Sequence, residues 1–117
     1  MIKFSIITPT NNIKYLTDLY NSLLDQLSTE WEWVIYLNNG PSRKDLPYNI
    51  VYDSRVKVYE ETEPLNSIGA IKARAFSKAS GAILVQVDHD DMLLPTCLEK
   101  LEEAFEDEEI GFVYSDS

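Results

Sequence analysis

The sequence predicts an α/β fold, a mostly parallel sheet with helices on both faces, and three observations carry that reading. Short apolar runs rich in β-branched residues alternate with segments of helical periodicity. The run at 82–87 (AILVQV) is almost continuously apolar, as a strand buried on both faces must be. Turn formers punctuate the alternation, notably Asn38-Asn39-Gly40-Pro41 and Gly81. Strand–helix alternation of this kind implies a doubly wound parallel sheet, and such sheets bind ligands beyond the carboxyl ends of their strands.

In order, Lys3 to Thr8 reads as a first strand ended by Pro9. Asn11 or Asn12 is placed to cap a helix carrying Leu16, Leu19, Tyr20, Leu23, Leu24 and Leu27 on one stripe. Trp33 to Leu37 is a second strand. The polar stretch from Ser42 to Ser54 contains Pro47 and reads mostly as loop, and Val56 to Tyr59 as a short third strand. A second helix is expected from about Ser67 to Lys78, with Ile68, Ile71, Ala75, Phe76 and Ala79 inward. After the fourth strand, Pro95 suits the first turn of a third helix, with Leu98, Leu101 and Phe105 inward. Gly111 to Ser115 closes the series.

The 117 residues suffice for one domain, 1–117, with a real core. No apolar run approaches the roughly 18 residues a membrane span needs. The N-terminal MIKFSIITPT lacks the h-region and cleavage site of a secretory signal. A single cysteine, Cys97, permits no internal disulfide, which fits a reducing, cytoplasmic setting, including a peripheral place at the inner face of a membrane. The net charge of -10 argues against a nucleic-acid partner. Much of the acid is local (Glu102, Glu103, Glu106, Asp107, Glu108, Glu109) and reads as a solvated helix end and turn.

The sharpest feature is Asp88-His89-Asp90-Asp91, three carboxylates in four residues directly after an apolar strand. In extended backbone Asp88 and Asp90 point to one side. Their mutual repulsion is removed by a divalent cation, and carboxylate oxygens suit Mg2+ or Mn2+, which keep positions open for substrate phosphates. The other reading is a solvated turn, with Asp91 capping the next helix. Position after a buried strand favours the metal. His89 falls on the opposite side and is read as structural or exposed rather than as a ligand.

Four segments then resemble, in register, the family-2 inverting glycosyltransferases of the GT-A fold. Asp88-His89-Asp90, with Asp91 and Pro95, resembles their "DxD" motif, and SIITPTNN their first strand and following loop. EWVIYLNNGPS resembles their second strand and its turn. Asn66 to Arg74 (NSIGAIKAR), with Ala79-Ser80-Gly81, resembles "N-x-G-x-x-x-A-R-N" and "A-x-G".

The resemblance implies transfer of a sugar from a nucleotide diphosphate sugar, a UDP-sugar first, to a glycan or lipid-linked acceptor in cell-envelope polysaccharide synthesis. It implies Asp90 as the ligand of Mn2+ or Mg2+ under the diphosphate, and Asp88 as a ribose contact or second metal ligand. Arg74 becomes a nucleotide contact, although an exposed helical arginine is the plainer alternative. Thr8, Pro9 and Thr10 would line the base pocket, largely by backbone, with Gly69 a close-packing position. Asn38 stands where the family has an acid, and Asn11 replaces a tyrosine. Family members run further and supply the acceptor site and general base there, so the chain is expected to be a donor-binding half. Asp116 is not assigned as that base. A non-catalytic nucleotide-binding or interaction module is the alternative. A phospho-receiver domain fits poorly, because it needs acids after strand one and a lysine after the last strand.

Overall fold

Phe4–Thr10 forms the central strand β1 of a five-stranded parallel sheet. The computed structural model describes residues 3–26, 29–38, 41–61, 68–87, 93, 95–104 and 111–114, with backbone alone at 68, 101–104 and 111–114. Helix α1 (Leu16–Leu24), strand β2 (Trp31–Leu37), a 3-10 turn (Arg43–Asp45), helix α2 (Tyr48–Val51) and strand β3 (Val56–Glu60) follow. Helix α3 (Ile68–Phe76), strand β4 (Ile83–Gln86), helix α4 (Cys97–Ala104) and strand β5 (Gly111–Tyr114) complete the chain. The strand order β3-β2-β1-β4-β5 confirms the α/β parallel fold and puts a topological switch point between β1 and β4.

Alternation along each strand splits the core in two. Phe4, Ile6, Trp33, Ile35, Val85 and Val87 pack with Leu16, Leu19 and Leu23 of α1, with Ile50 of α2 and with Leu98 of α4. On the other face Ile7, Val34 and Tyr36 pack with Ile71 and Ala75 of α3. Each fully buried aliphatic contributes about 1.5–3 kcal/mol through apolar transfer. The predicted stripe of α1 holds at Leu16, Leu19, Tyr20 and Leu23, but Leu24 is exposed, and Leu27 lies outside the described residues. On α3 and beyond, Ile71 and Ala75 are buried and Phe76 and Ala79 partly so.

Several boundaries differ from expectation for local reasons. Pro9 does not end β1, which runs on to Thr10 in register with Leu37. Odd-numbered residues of β1 face β4, where the ladder closes with Val87 N–H donating to Ile7 O. The missing N–H of Pro9 therefore leaves the ladder to β2 intact. Neither Asn11 nor Asn12 caps α1: the N-cap is Tyr15, without a side-chain cap bond, while Asn12 Oδ1 accepts from Lys14 N–H one turn earlier. The expected loop at 42–54 holds the 3-10 turn and α2. A capping box starts that turn, with Ser42 N–H and Oγ both donating to Asp45 Oδ2.

The amino end of the sheet is tied by a buried carboxylate. Glu32 Oε2 accepts from Ser5 Oγ, Ser80 N–H and Ser80 Oγ, and Lys57 Nζ lies 3.1 Å from Oε1. Burial alone would raise the Glu32 pKa, but the hydrogen bonds from Ser5, Ser80 and Lys57 outweigh it and hold it below the usual range. Gly81 N–H donates to Ser5 Oγ at 2.8 Å. A Cβ on Gly81 would meet Lys3 O and the Phe4 carbonyl carbon at 2.9 Å, so only glycine lets the turn after α3 close on β1.

Candidate functional site

The carboxyl edge of the sheet carries the described residues singled out by sequence: Thr8, Pro9 and Thr10 at the end of β1, Asn38 after β2 and, beside the end of β3, Arg74. Thr8 is fully buried, and its Oγ1 accepts from Trp33 Nε1 at 3.0 Å, so its side chain belongs to the α1 face of the core. Thr10 is also buried. Its Oγ1 accepts from Asn12 N–H (2.9 Å) and donates to Asn12 O (2.8 Å), closing the turn after β1. Pro9, between them, is half-buried on the opposite face, paired in register with Tyr36.

Asn38 follows β2 and is buried. Its backbone N–H donates to Thr10 O, and its Nδ2 donates to Thr10 O (3.2 Å) and, more weakly, to Tyr36 O (3.5 Å). Those acceptors assign the amide orientation. They also give a local reason for an amide where the family pattern has an acid, since a carboxylate could not donate to these carbonyls.

Arg74, in the last turn of α3, reaches the end of β3. Its Nη1 donates to Glu61 Oε1 (2.9 Å) and Oε2 (2.8 Å), and Oε2 also accepts from the Tyr36 hydroxyl at 2.5 Å. The Glu61 side chain is 4% exposed and that of Arg74 50% exposed. Glu61 holds the Arg74 pKa above its ordinary value, while burial first, and then the Glu61 carboxylate, raise that of the Tyr36 phenol. Contacts thus run without a break from Thr10 through Asn38 and Tyr36 to Glu61 and Arg74.

Tyr36 and Glu61 were absent from the sequence reading. Tyr36 reads as one more core residue in an apolar run. Its period-2 relation to Asn38 was the available signal, because both then face α3. Glu61 is hidden among Glu60, Glu61 and Glu63, and nothing in the sequence marks which of them turns inward.

Asp88, His89, Asp90 and Asp91 lie outside the described residues, as do Asn39 and Asn66. The described strand brings residue 87 to the rim beside Ile7. Among the described residues no group of three His, Cys, Asp or Glu side chains is arranged to hold a metal. A groove of about 650 Å3 opens elsewhere, between the 3-10 turn, α2 and the edge of β3, lined by Arg43, Lys44, Tyr48, Tyr52 and Glu60 among others. It shares no residue with the predicted site. Burial pushes the Cys97 thiol up in pKa, which favours the thiol over the nucleophilic thiolate.

Asn38, Tyr36, Glu61 and Arg74 collect at the carboxyl ends of β2 and β3 in an open parallel sheet, the edge at which α/β sheets of this class bind ligands. Comparison with known proteins makes the class specific. The model of glycosyl transferase family 2 matches residues 5–116, and the chain belongs to that family. It is 31% identical over 90 residues to the O-antigen biosynthesis glycosyltransferase WbnJ of Escherichia coli, spanning 74% of this chain and 35% of WbnJ. It is 35% identical over 98 residues to the poly(ribitol-phosphate) beta-N-acetylglucosaminyltransferase TarS of Staphylococcus aureus (strain Mu50 / ATCC 700699), spanning 80% of this chain and 17% of TarS. The crystal structure of S. aureus TarS 1-349 in complex with UDP-GlcNAc superposes with a TM-score of 0.78 at 26% identity, covering 91% of this chain and 32% of that one. The same TarS fragment in complex with UDP matches with the same TM-score. The chain therefore spans about a third or less of the relatives it matches. No described helix is long and apolar enough to cross a membrane.

Proposed function

We propose that this chain binds a nucleotide diphosphate sugar at the carboxyl rim of its sheet, as the donor-binding part of an inverting, metal-dependent glycosyltransferase. The observation that carries the reading is the convergence of Asn38, Tyr36, Glu61 and Arg74 at the carboxyl ends of β2 and β3, on the sheet edge where β4 also ends. The fold match to a protein crystallised with UDP-GlcNAc and with UDP supports a uridine nucleotide as the donor. In this reading Pro9 and the backbone of Thr8 and Thr10 border the base. Asn38 borders the base edge with its amide N–H groups engaged by the Thr10 and Tyr36 carbonyls, and Arg74 offers planar N–H donors to carbonyl or phosphate oxygens.

Asp88 and Asp90 would hold Mn2+ or Mg2+, since paired carboxylates on a chain of net charge -10 fit a hard divalent cation. When bound, the ion supplies charge neutralisation to the diphosphate leaving group. The chain's own residues bind and orient the nucleotide. The acceptor, a cell-envelope glycan or lipid-linked sugar by analogy with WbnJ and TarS, and the general base are assigned to sequence of the kind those longer relatives carry. A cytoplasmic place, at or near the membrane's inner face, goes with that role.

Titration calorimetry of the chain with UDP tests the reading. Binding in the micromolar to millimolar range that strengthens with Mn2+ and falls in Asp90→Asn is expected. No heat at millimolar UDP, with or without Mn2+, contradicts it. Turnover of UDP-GlcNAc by a longer form separates an enzyme from a binding module that only keeps the fold.

A further inference from the structure

We propose that Tyr36 and Glu61 are positioning residues that act through Arg74, fixing one edge of its guanidinium so that the other edge meets the nucleotide; the inference rests on the donor-binding reading above. Glu61 is fixed from two elements at once. Tyr36 of β2 donates its hydroxyl proton to Oε2, and Arg74 of α3 meets both carboxylate oxygens through Nη1. Tyr36 and the Glu61 side chain are 5% and 4% exposed, so neither moves freely. The ion pair uses Nη1, and the Nε and Nη2 protons are not taken by Glu61. Half of the Arg74 side chain remains in solvent. A guanidinium anchored in this way is ordered before the ligand arrives, which removes part of the entropy cost of binding.

Charge alone predicts the reverse of what positioning predicts. Glu61 is an anion beside a site proposed for an anionic nucleotide. Removing its charge in E61Q should tighten binding if Coulomb attraction decides, and weaken it if anchoring decides. The chain is titrated with UDP in the presence of Mn2+ as wild type, E61Q, Y36F, R74A and the R74A/E61Q double variant, with thermal midpoints measured alongside. Positioning predicts binding about tenfold weaker in E61Q and about threefold weaker in Y36F, of the size expected for coupled neighbours. In the R74A background E61Q should cause no further loss, because the residue through which Glu61 acts is gone. Equal or tighter binding by E61Q or Y36F at an unchanged midpoint overturns the proposal, as does an undiminished E61Q effect in the R74A background. Y36F, which deletes one hydroxyl, keeps the test decisive should E61Q unfold. A wild type that does not bind UDP sinks the donor-binding reading instead, and shows it before any variant is compared.

Discussion

Asn38 shows how one amide joins fold and site. In N38D the carboxylate would face the Thr10 and Tyr36 carbonyl oxygens with no proton to give. We expect a loss of about 1–3 kcal/mol, the range for a buried polar group left unsatisfied, read as a lower urea midpoint. Asp53 carries a pH dependence. Hydrogen bonding from the Arg55 side chain outweighs burial and, with the Arg55 N–H and the Tyr20 hydroxyl, lowers its pKa from 3.8 to about 2. A depressed carboxylate stabilises the fold above pH 3.8 and loses that contribution as pH falls towards 2. Since Arg55 is a third exposed, the effect is about 1 kcal/mol after screening. Urea midpoints between pH 5 and pH 2 should fall more steeply in the wild type than in D53N, which keeps the contribution of the likewise depressed Glu32 carboxylate. Arg74 could be singled out from sequence because its residue type and motif position are visible there. Its partners could not, since a 13-residue separation from Glu61 is closed only by the fold.

At the scale of elements, hydrophobic periodicity located every strand and the three long helices, because burial is what orders them. Short elements were less legible. Tyr48–Val51 forms α2 although Tyr48 and Tyr52 are exposed, so no apolar stripe announces it. Pro9 was read as a strand end, and only the direction of its missing N–H, away from β2, shows why β1 continues. Glu32, an acid near the start of the run WEWVIYL, is fully buried, with partners from β1, β3 and the turn after α3. Gly81 belongs to the same junction. G81A should destabilise by about 1–3 kcal/mol, as overpacking against a backbone that cannot yield does, measured as a thermal shift. Because that junction sets where the chain returns from α3 into β4, we also expect G81A to weaken nucleotide binding modestly.

For the whole molecule, strand order decides what the sequence could only suggest. The arrangement β3-β2-β1-β4-β5 places the ends of β1, β2 and β4 side by side, so segments far apart in the chain share one rim. A net charge of -10 disfavours an anionic ligand there unless a cation intervenes, which is the physical reason for proposing Mn2+ or Mg2+. UDP at about 100 times its Kd should accordingly raise stability by about 2.7 kcal/mol with Mn2+ present, and chelation by EDTA should remove most of that gain. Anomalous diffraction from a crystal soaked with UDP and Mn2+ is the decisive measurement. A manganese peak within coordination distance of an Asp90 carboxylate oxygen, with the uridine between Asn38 and Arg74, is expected. Manganese bound away from residues 88–91, or a nucleotide seated in the groove beside Tyr48 and Tyr52, would contradict the proposed donor site.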